Sequence, residues 1–503
     1  MSTAVALPVD VSANAAWRFT VERAHAQQTS LEKWLLSQEA MGLPLSDVER
    51  QQEQRSREVQ RLMLQAHIQA RGTGDVGAAI QVVPPDGGAA RLYTHRRIHP
   101  EHCTTIFGEI QIKRTAYGKP GCASVHPLDA ELELPKRGYS YELQRRQVKA
   151  AVQGPFDEVV EGIEEATGVT LPKRSVEQVV KEAANDFDAF YAQRAAADPQ
   201  QSGPIVVAAV DGKGIPMVKP ETALRVVRRG KGKKANKKRM ATVAAVFTQQ
   251  PRVRRPEEVV ESLFRTGPRP AQEKPPPRPE NKRVWASVEK SKQDVLRDVS
   301  AEVGRRDPQR TKTRVAVTDG ERALQRGVQS ILVGVMLVLD LLHVLEYLWK
   351  AAYVFHTEGS PEAEEWVKQR ALRILRGEVS QVVKGLRQSV TKRGLKGQKA
   401  KTLRQVAGYF YRNRSRMRYH EYLAQGLPIA SGAVEGACKN LIKDRMERSG
   451  MRWTVPMAEA MVKLRATYLS DDFEQYWSFH ISRDQQRLHP AGRWRPAPSV
   501  VEK

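Results

Sequence analysis

Cysteine is scarce: Cys103, Cys122 and Cys438 are the only three in 503 residues. Three thiols cannot build a disulfide framework, which excludes a small secreted scaffold and fits a reducing compartment. Acid is scarce too, with 57 Asp and Glu against 82 Lys and Arg and a formal charge of +25, so the partners to expect are polyanions. No hydrophobic run is long enough to cross a bilayer. The longest, residues 327–339, has 13 residues before Asp340 and His343 interrupt it, against roughly 20 for a spanning helix. An export signal is also missing from residues 1–17, where Asp10 sits in the apolar stretch and no cation precedes Arg18. The expectation is a soluble, cytoplasmic protein without a membrane partner. What the chain does have is 40% hydrophobic content, enough for folded cores rather than a basic disordered tail. Its length corresponds to about three domains. Basicity by itself leaves nucleic acid, an anionic membrane surface and the ribosome open.

Organisation along the chain follows from changes of period. Residues 1–90 read as an N-terminal helical region and a linker. Ser46-Asp-Val-Glu49 has the pattern of a capping box opening a charged, Gln-rich helix that ends near Gly72, and the Gly- and Pro-containing stretch 72–88 is the linker. The stripe of Val48, Val59, Leu62 and Met63 on that helix is thin and reads as packing. Residues 91–145 are a small β-rich segment, because Ile106, Ile110 and Ile112 recur amid polar residues as in a strand pair. Residues 146–200 have a helix-turn-helix outline: two helical patterns flank Gly168-Val169, and the second opens at Ser175 with Gln178 three residues on. Lys173 and Arg174 would meet phosphates if that helix docked in a major groove, although most helix pairs with a glycine turn only pack.

The centre of the chain is a series of buried strands that end on acids. The apolar run 205–210 suits a strand covered on both faces and leads into Asp211-Gly-Lys-Gly-Ile-Pro-Met217. A carboxylate in that position needs a cation or a metal beside it, which marks Asp211 as a site candidate. Strand-like 241–247 and 284–287 follow, then a helical pattern through Val295, Val299 and Val303. A fourth strand, Val315-Ala-Val317, delivers Thr318-Asp319-Gly320, and a helix over 321–331 leads to a fifth, 335–339, which ends on Asp340-Leu-Leu-His343. Three strands, a helix, a strand, a helix and a strand is the order of the ribonuclease H-like fold. In that order the first and fourth strands are neighbours, so Asp211 and Asp319 would converge although far apart in the chain.

After His343 the sheet pattern gives way to a helical, increasingly basic block, residues 344–428. Between Val379 and His420 there are 12 Lys or Arg and no acid. Tyr409, Phe410, Tyr411 and Tyr419 interleave there with Arg412, Arg414, Arg416 and Arg418, a mixture suited to phosphates and exposed bases. A second basic run, 225–239, has nine cations in fifteen residues, among them Arg228, Arg229, Lys233 and Lys234, and lies between the first two strands. The Pro-rich run 268–279 reads as a stiff surface linker. A last helix, within residues 429–470, carries Ser431-Gly-Ala-Val-Glu-Gly-Ala-Cys-Lys-Asn440, and 471–503 form a tail. Glu435, Lys439 and Lys443 fit a surface ion-pair ladder. The small Gly432, Ala433, Gly436 and Ala437 argue instead for a helix lying close on the sheet, with Glu435 pointing toward Asp211 and Asp319, and for Cys438 as a packing residue.

Four ordered strings, Asp211-Gly-Lys-Gly-Ile-Pro-Met217, Val317-Thr-Asp-Gly-Glu321, Asp340-Leu-Leu-His-Val-Leu-Glu-Tyr-Leu-Trp349 and Gly432-Ala-Val-Glu-Gly-Ala-Cys-Lys-Asn440, resemble those of the bacterial insertion-sequence transposases of the ISKra type. The resemblance spans residues 106–469. It implies a DDE transposase with an α/β ribonuclease H-like catalytic core, residues 201–343 and 429–470, interrupted by the helical insertion 344–428. It further implies terminal inverted repeats as the binding site, double-stranded DNA at the element ends and at the target as partner, a homo-oligomer on that DNA, and a place in the bacterial nucleoid. Asp211, Asp319 and Glu435 would be the metal-binding acids. Strand adjacency favours Asp319 as the second ligand over its competitor Asp340. Asp340 and His343 would then take a supporting or phosphate-contacting role. The Asp-x-x-His string also resembles one in hAT and Mutator-like transposases, where a helical insertion separates it from the catalytic glutamate. Lys213, Arg174 and Lys439 join the cations of the two basic runs as DNA contacts.

Carboxylates without a cluster of soft ligands suit Mg²⁺, with Mn²⁺ as a substitute. Two such ions would activate water, and later a DNA 3′-hydroxyl, for displacement at phosphorus. His99, Cys103, Cys122 and His126 have ligand-like spacing, yet isolated His and Cys beside a hairpin are the commoner reading, and no structural zinc is expected. Two rival functions stand beside the transposase. One is a transposase-derived DNA-binding regulator that no longer cuts, against which the intact acids argue. The other is a structure-selective nuclease of the same fold, against which the helix-turn-helix outline and the basic insertion argue.

Overall fold

The computed structural model describes residues 16–84, 88–195, 198–218, 238–268, 275–490 and 492–497. They divide into two compact units, one made of the chain up to Ala192 together with the segment from Phe473 on, the other running from Gln193 to Asp472. Among the described residues no helix is long and apolar enough to cross a membrane.

In the first unit the helices Ala16–Leu35 and Leu45–Ala70 lie against each other. Leu31, Trp34 and Ala40 form a small core with Val48 packed beside it, while Met63 is exposed. The capping box expected at Ser46 is not formed, because the helix opens on Pro44 with no side-chain cap. Ser175 fails in the same way, since the helix Lys173–Ala183 opens on Pro172. A proline before the first turn presets φ without offering the cap a side-chain oxygen would make. Within the stretch expected as a linker, Ile80–Val82 is a buried strand, paired on one side with Arg91–Tyr93 and on the other with Trp494–Pro496. The segment expected as a tail thus supplies that strand, and also the helix Phe473–Leu488. The strand pair is a hairpin of His95–Thr105 with Gly108–Gly118, longer than the pattern indicated. Gly168, in the left-handed region at φ 69°, ends the helix Phe156–Thr167 and turns the chain into Lys173–Ala183. The helix Tyr141–Ala151 packs on both. The unit also encloses Asp186, which shares a 2.8 Å hydrogen bond with His480 Nδ1 and accepts another from Arg487 at 2.7 Å. Burial pushes the Asp186 carboxyl up, but these two partners more than reverse it and hold it down at about 2.

The second unit is built on a mixed sheet of five strands: β1 (Ile205–Pro216), β2 (Lys238–Gln249), β3 (Glu280–Ser287), β4 (Thr313–Thr318) and β5 (Met336–Leu339). They stand in the order β3-β2-β1-β4-β5. β2 runs antiparallel to β1 and β3, whereas β1, β4 and β5 are parallel. The parallel steps need crossovers. α1 (Lys292–Arg306) and α2 (Arg322–Ile331) are the helices on those connections. The first strand is hydrogen-bonded to the fourth, as the element order predicts, and the sheet is compatible with a ribonuclease H-like core. From Ile205 to Val210 no residue is more than 3% exposed, the condition of a strand covered on both faces.

Past the sheet come α3 (Leu341–Ala352), α4 (Pro361–Leu375), α5 (Val379–Lys392), α6 (Gly397–Asn413) and α7 (Tyr419–Ala424). Their apolar sides share one core with the sheet: Leu348, Val367, Leu386 and Leu403 join Ile205, Val207, Val315 and Val317 in a single cluster. The basic block is therefore amphipathic, with its cations on the side away from that core. The chain then returns through α8 (Gly432–Ala437) and α9 (Val455–Leu469). Glu459 of α9 accepts the Ser287 hydroxyl at 2.9 Å and the Val288 N–H at 2.7 Å, tying the end of β3 to this last helix. Of the run 225–239 only Lys238 and Arg239 are described, so Arg228, Arg229, Lys233 and Lys234 lie outside the described residues, as does 269–274 of the Pro-rich run.

Candidate active site

In the parallel ladder Val210 is paired with Thr318, and Thr318 with Leu339. The next residue of each strand is an aspartate: Asp211, Asp319 and Asp340. Residues at one level of a parallel sheet project to the same face, so the register lines three carboxylates up in a row. β1 itself does not stop at Asp211 but continues to Pro216 against β2.

The three environments differ. Asp340 is fully buried. Its Oδ1 accepts the N–H of Leu342 at 2.9 Å, which caps α3, and its Oδ2 accepts both the N–H and the hydroxyl of Ser431. Asp319 is half-buried and accepts the N–H of Glu321 at 3.0 Å on one oxygen. Burial raises its carboxyl above the usual range; the Asp211 carboxylate pushes the same way, and His343 pushes back. Asp211 accepts the Gly212 N–H at 2.6 Å on Oδ1 and the Cys438 thiol at 3.4 Å on Oδ2. Burial and the facing Asp211 raise that thiol, which keeps it a donor. Cys438 is thus more than packing. Its position three residues after Glu435, on the same side of a helix, is the signal that could have linked it to the site.

Glu435 sits on α8, which passes directly into a π-helical turn, Cys438–Lys443. Such turns recur where a helix is bent to serve a site. α8 lies on β1 and β2, with Val434 and Ala437 buried. Its glycines are not what permits this: a Cβ at Gly432 or Gly436 would meet nothing within 4 Å. They face open space, and the close-approach argument made from them fails. Glu435 is exposed. Burial of part of the side chain raises its carboxyl, the Asp340, Glu346 and Asp211 carboxylates push in the same direction, and His343 opposes them. His343 acts on both Asp319 and Glu435, with its Nδ1 at 3.7 Å from Glu346. Asp211, Asp319, Asp340, Glu435 and His343 share one electrostatic neighbourhood, of which Asp340 is the fully buried member.

Carboxylates such as Asp319 and Glu435, raised by burial and by neighbouring acids, are what a hard divalent cation relieves, so the donor type fits Mg²⁺. The set is open: among the described residues no three His, Cys, Asp or Glu side chains lie close enough to hold one ion.

Of the expected DNA contacts, Lys213 is half-buried two residues past Asp211, and Lys439 and Arg174 are exposed. Lys173 is paired with Asp157 at 2.8 Å. Arg412, Arg414 and Arg418 are exposed and Arg416 is half-buried. Arg418 is engaged with Glu421 at 3.0 Å. The interleaved aromatics are a correction. Tyr409, Phe410 and Tyr419 lie in the core, at 6%, 0% and 0% exposure, and among these four rings only Tyr411 reaches the surface. On α6, Leu403, Val406, Ala407 and Phe410 follow the period of a helix face turned inward, so these rings belong to packing rather than to stacking on bases.

Tyr409 has a definite task. Its ring stacks on Tyr347 at 3.9 Å and covers Gly320, where an added Cβ would lie 2.1 Å from a ring carbon. Gly320→Ala must displace either the buried ring or the end of β4. Overpacking of this kind typically costs about 1–3 kcal/mol, and a thermal unfolding curve identical to wild type would refute the clash.

The four candidate zinc ligands are spread out. His99 and His126 have ring centroids 6.5 Å apart. Cys103 is buried with Ile110, Ile112 and Leu128, whereas Cys122 packs on a different cluster and accepts from Arg91 at 3.6 Å.

No protein-family model matches the chain, and no curated protein matches it. Among solved structures the chain is similar to a Drosophila P element transposase strand transfer complex, with 10% identity over 69% of this chain and 84% of that one and a TM-score of 0.24. That likeness is too slight to carry an argument about fold or function.

Proposed function

We propose that the chain is a DDE-type DNA transposase of the ISKra kind, a metal-dependent polynucleotidyl transferase that cuts a strand at each end of a mobile element and joins the ends to a target. The observation that carries the reading is the row of carboxylates one residue past the Val210–Thr318 pair, with Glu435 acting on the same neighbourhood. The strand order, with β2 antiparallel and β1, β4 and β5 parallel, supports a ribonuclease H-like core. The helical block between β5 and α8 matches the insertion expected before the glutamate.

Asp211, Asp319 and Glu435 would hold Mg²⁺, which supplies activation of the attacking oxygen and stabilisation of the leaving 3′-oxygen. The chain's own groups position those acids. Gly212 and Cys438 orient Asp211, the Glu321 N–H orients Asp319, and Asp340 fixes Ser431 at the start of the helix that carries Glu435. His343 supplies the nearby imidazole that acts on both Asp319 and Glu435. Double-stranded DNA is the partner, engaged by a homo-oligomer, with Arg174, Lys213, Arg412, Arg414, Arg416 and Lys439 on phosphate.

Given Mg²⁺ and a duplex bearing the inverted repeats that flank its reading frame, the chain should nick at the repeat boundary. Asp211→Asn and Glu435→Gln should each lower that cleavage on the order of 10³-fold or more with duplex affinity retained. Cleavage by either variant at close to the wild-type rate would sink the reading.

A further inference from the structure

The row of acids has a basic neighbour. A groove of about 470 Å³ opens beside Gly320, between α2 and the end of α6. Arg322 and Arg326 stand on one wall, four residues apart and so on one face of α2. Arg412, Arg414 and Arg416 stand on the other, with Tyr411 among them. We propose that this groove is a phosphate-binding channel that takes the phosphodiester backbone of a DNA strand next to the acidic cluster. The proposal rests on the reading of Asp319 as a catalytic acid.

Three observations converge on an anionic occupant. First, no acid lines the groove, and among the described residues none of its five arginines is ion-paired with a carboxylate. Five like charges brought together without a counter-charge repel one another, and an elongated polyanion is the ligand that relieves them along the whole channel. Second, Arg322, Arg326, Arg412 and Arg414 are exposed, so their guanidiniums are open to an incoming phosphate oxygen. Third, one arginine of the wall is braced: Arg414 lies over the Tyr411 ring at 4.3 Å and donates to the Tyr411 carbonyl oxygen at 2.8 Å. Guanidiniums held in fixed planes lose little freedom on accepting a phosphate, and their forked geometry favours phosphodiester over a diffuse ion atmosphere.

The floor ties the groove to the acids. The buried Gln325 donates to the Asp319 carbonyl oxygen at 3.1 Å and to the Asn413 Oδ1 at 3.1 Å. Asn413, also buried, donates to the Tyr409 carbonyl at 3.0 Å. The strut runs from the strand end that carries Asp319 to the helix end that carries the arginines. A strand gripped in the groove is thereby held in a fixed relation to Asp319. None of Arg322, Arg326, Gln325 or Asn413 was singled out from the sequence, because the two walls come from segments separated by most of the helical block.

The test compares two charge-equivalent double variants in the full chain. Arg322→Gln with Arg326→Gln removes one wall. Lys399→Gln with Lys401→Gln removes the same charge from exposed positions at the other end of α6. Affinity for a duplex DNA oligonucleotide is followed by fluorescence anisotropy against salt without divalent metal, so that no strand is cut. Each lost phosphate contact lowers the slope of log affinity against log salt by roughly 0.9, and the arginine pair should lose close to twice that while the lysine pair loses less than half as much. Equal losses in both pairs, no loss in the arginine pair, or preference for an RNA duplex over the DNA duplex would each overturn the proposal. The two readings fail separately. A chain that passes this titration but cuts no DNA keeps the channel and loses the transposase reading, whereas one that cuts DNA with an unchanged slope keeps its catalytic acids and loses the channel.

Discussion

Asp319→Asn will remove strand cleavage, on the order of 10³-fold or more, whereas Asp340→Asn will keep most of it. Both residues follow the same row of the parallel sheet, so position alone does not separate them. Their hydrogen bonds do. Asp340 has committed both oxygens, one to the Leu342 N–H and the other to Ser431, and is shut off from solvent. Asp319 uses one oxygen on Glu321 and lies where Asp211 and His343 act on it. An asparagine at 340 can still cap α3 through its carbonyl oxygen, but its amide cannot accept the Ser431 N–H. The cost should fall on stability, about 1–3 kcal/mol for one buried donor left unmet, and on cleavage only through the placement of α8. Cleavage rates measured beside thermal unfolding curves decide the matter: a stable Asp340→Asn protein that cuts nothing, with an active Asp319→Asn, would move the second ligand to Asp340.

The largest stability effect is expected in the other unit. Asp186→Ala should destabilise the first unit by about 3–5 kcal/mol, because it strands a buried imidazole and a guanidinium that now share one carboxylate. Asp186→Asn keeps the shape and loses the charge, which makes it the better probe of pH. The folded carboxyl lies at about 2, below the value of roughly 3.9 in an unfolded chain. A depressed carboxyl contributes stability that is fully present above the unfolded value and is lost as pH falls through the folded one. Denaturant unfolding should therefore show a wide gap between wild type and Asp186→Asn at pH 6 that closes toward pH 2. A gap of constant width across that interval would show that the charge of Asp186 contributes nothing.

What was legible in the sequence was the part of the fold written in short, strongly patterned segments. An unbroken apolar run that breaks on an aspartate announces both a doubly covered strand and a group that needs a partner, and Asp211 and Asp319 emerged that way. The order of those strands then carried their adjacency. The aromatics of the basic block were misread for a related reason: between Tyr409 and Tyr419 the arginines are dense enough to hide the inward face, and only the helical period through Leu403, Val406 and Phe410 distinguishes core from surface. The capping boxes at Ser46 and Ser175 have the right spacing but were pre-empted by Pro44 and Pro172. The strand Ile80–Val82 is too short to leave a pattern, and its partner Trp494–Pro496 lies at the opposite end of the sequence. The same holds for Ser431 with Asp340 and for Gln325 with Asn413, polar pairs whose members give no local sign of each other.

The return of the chain from Phe473 onward into the unit that it left at Ala192 sets an order of events during synthesis. Nascent chains ordinarily complete their N-terminal domain first. Here the N-terminal unit waits, because His480 is 294 residues downstream of the Asp186 it must pair with. At ribosomal speeds of about 5–20 residues per second that interval is roughly 15–60 s. Within it the sheet unit from Gln193 to Asp472, continuous in sequence, receives every strand it needs, while the buried carboxylate upstream still has neither its imidazole nor its guanidinium.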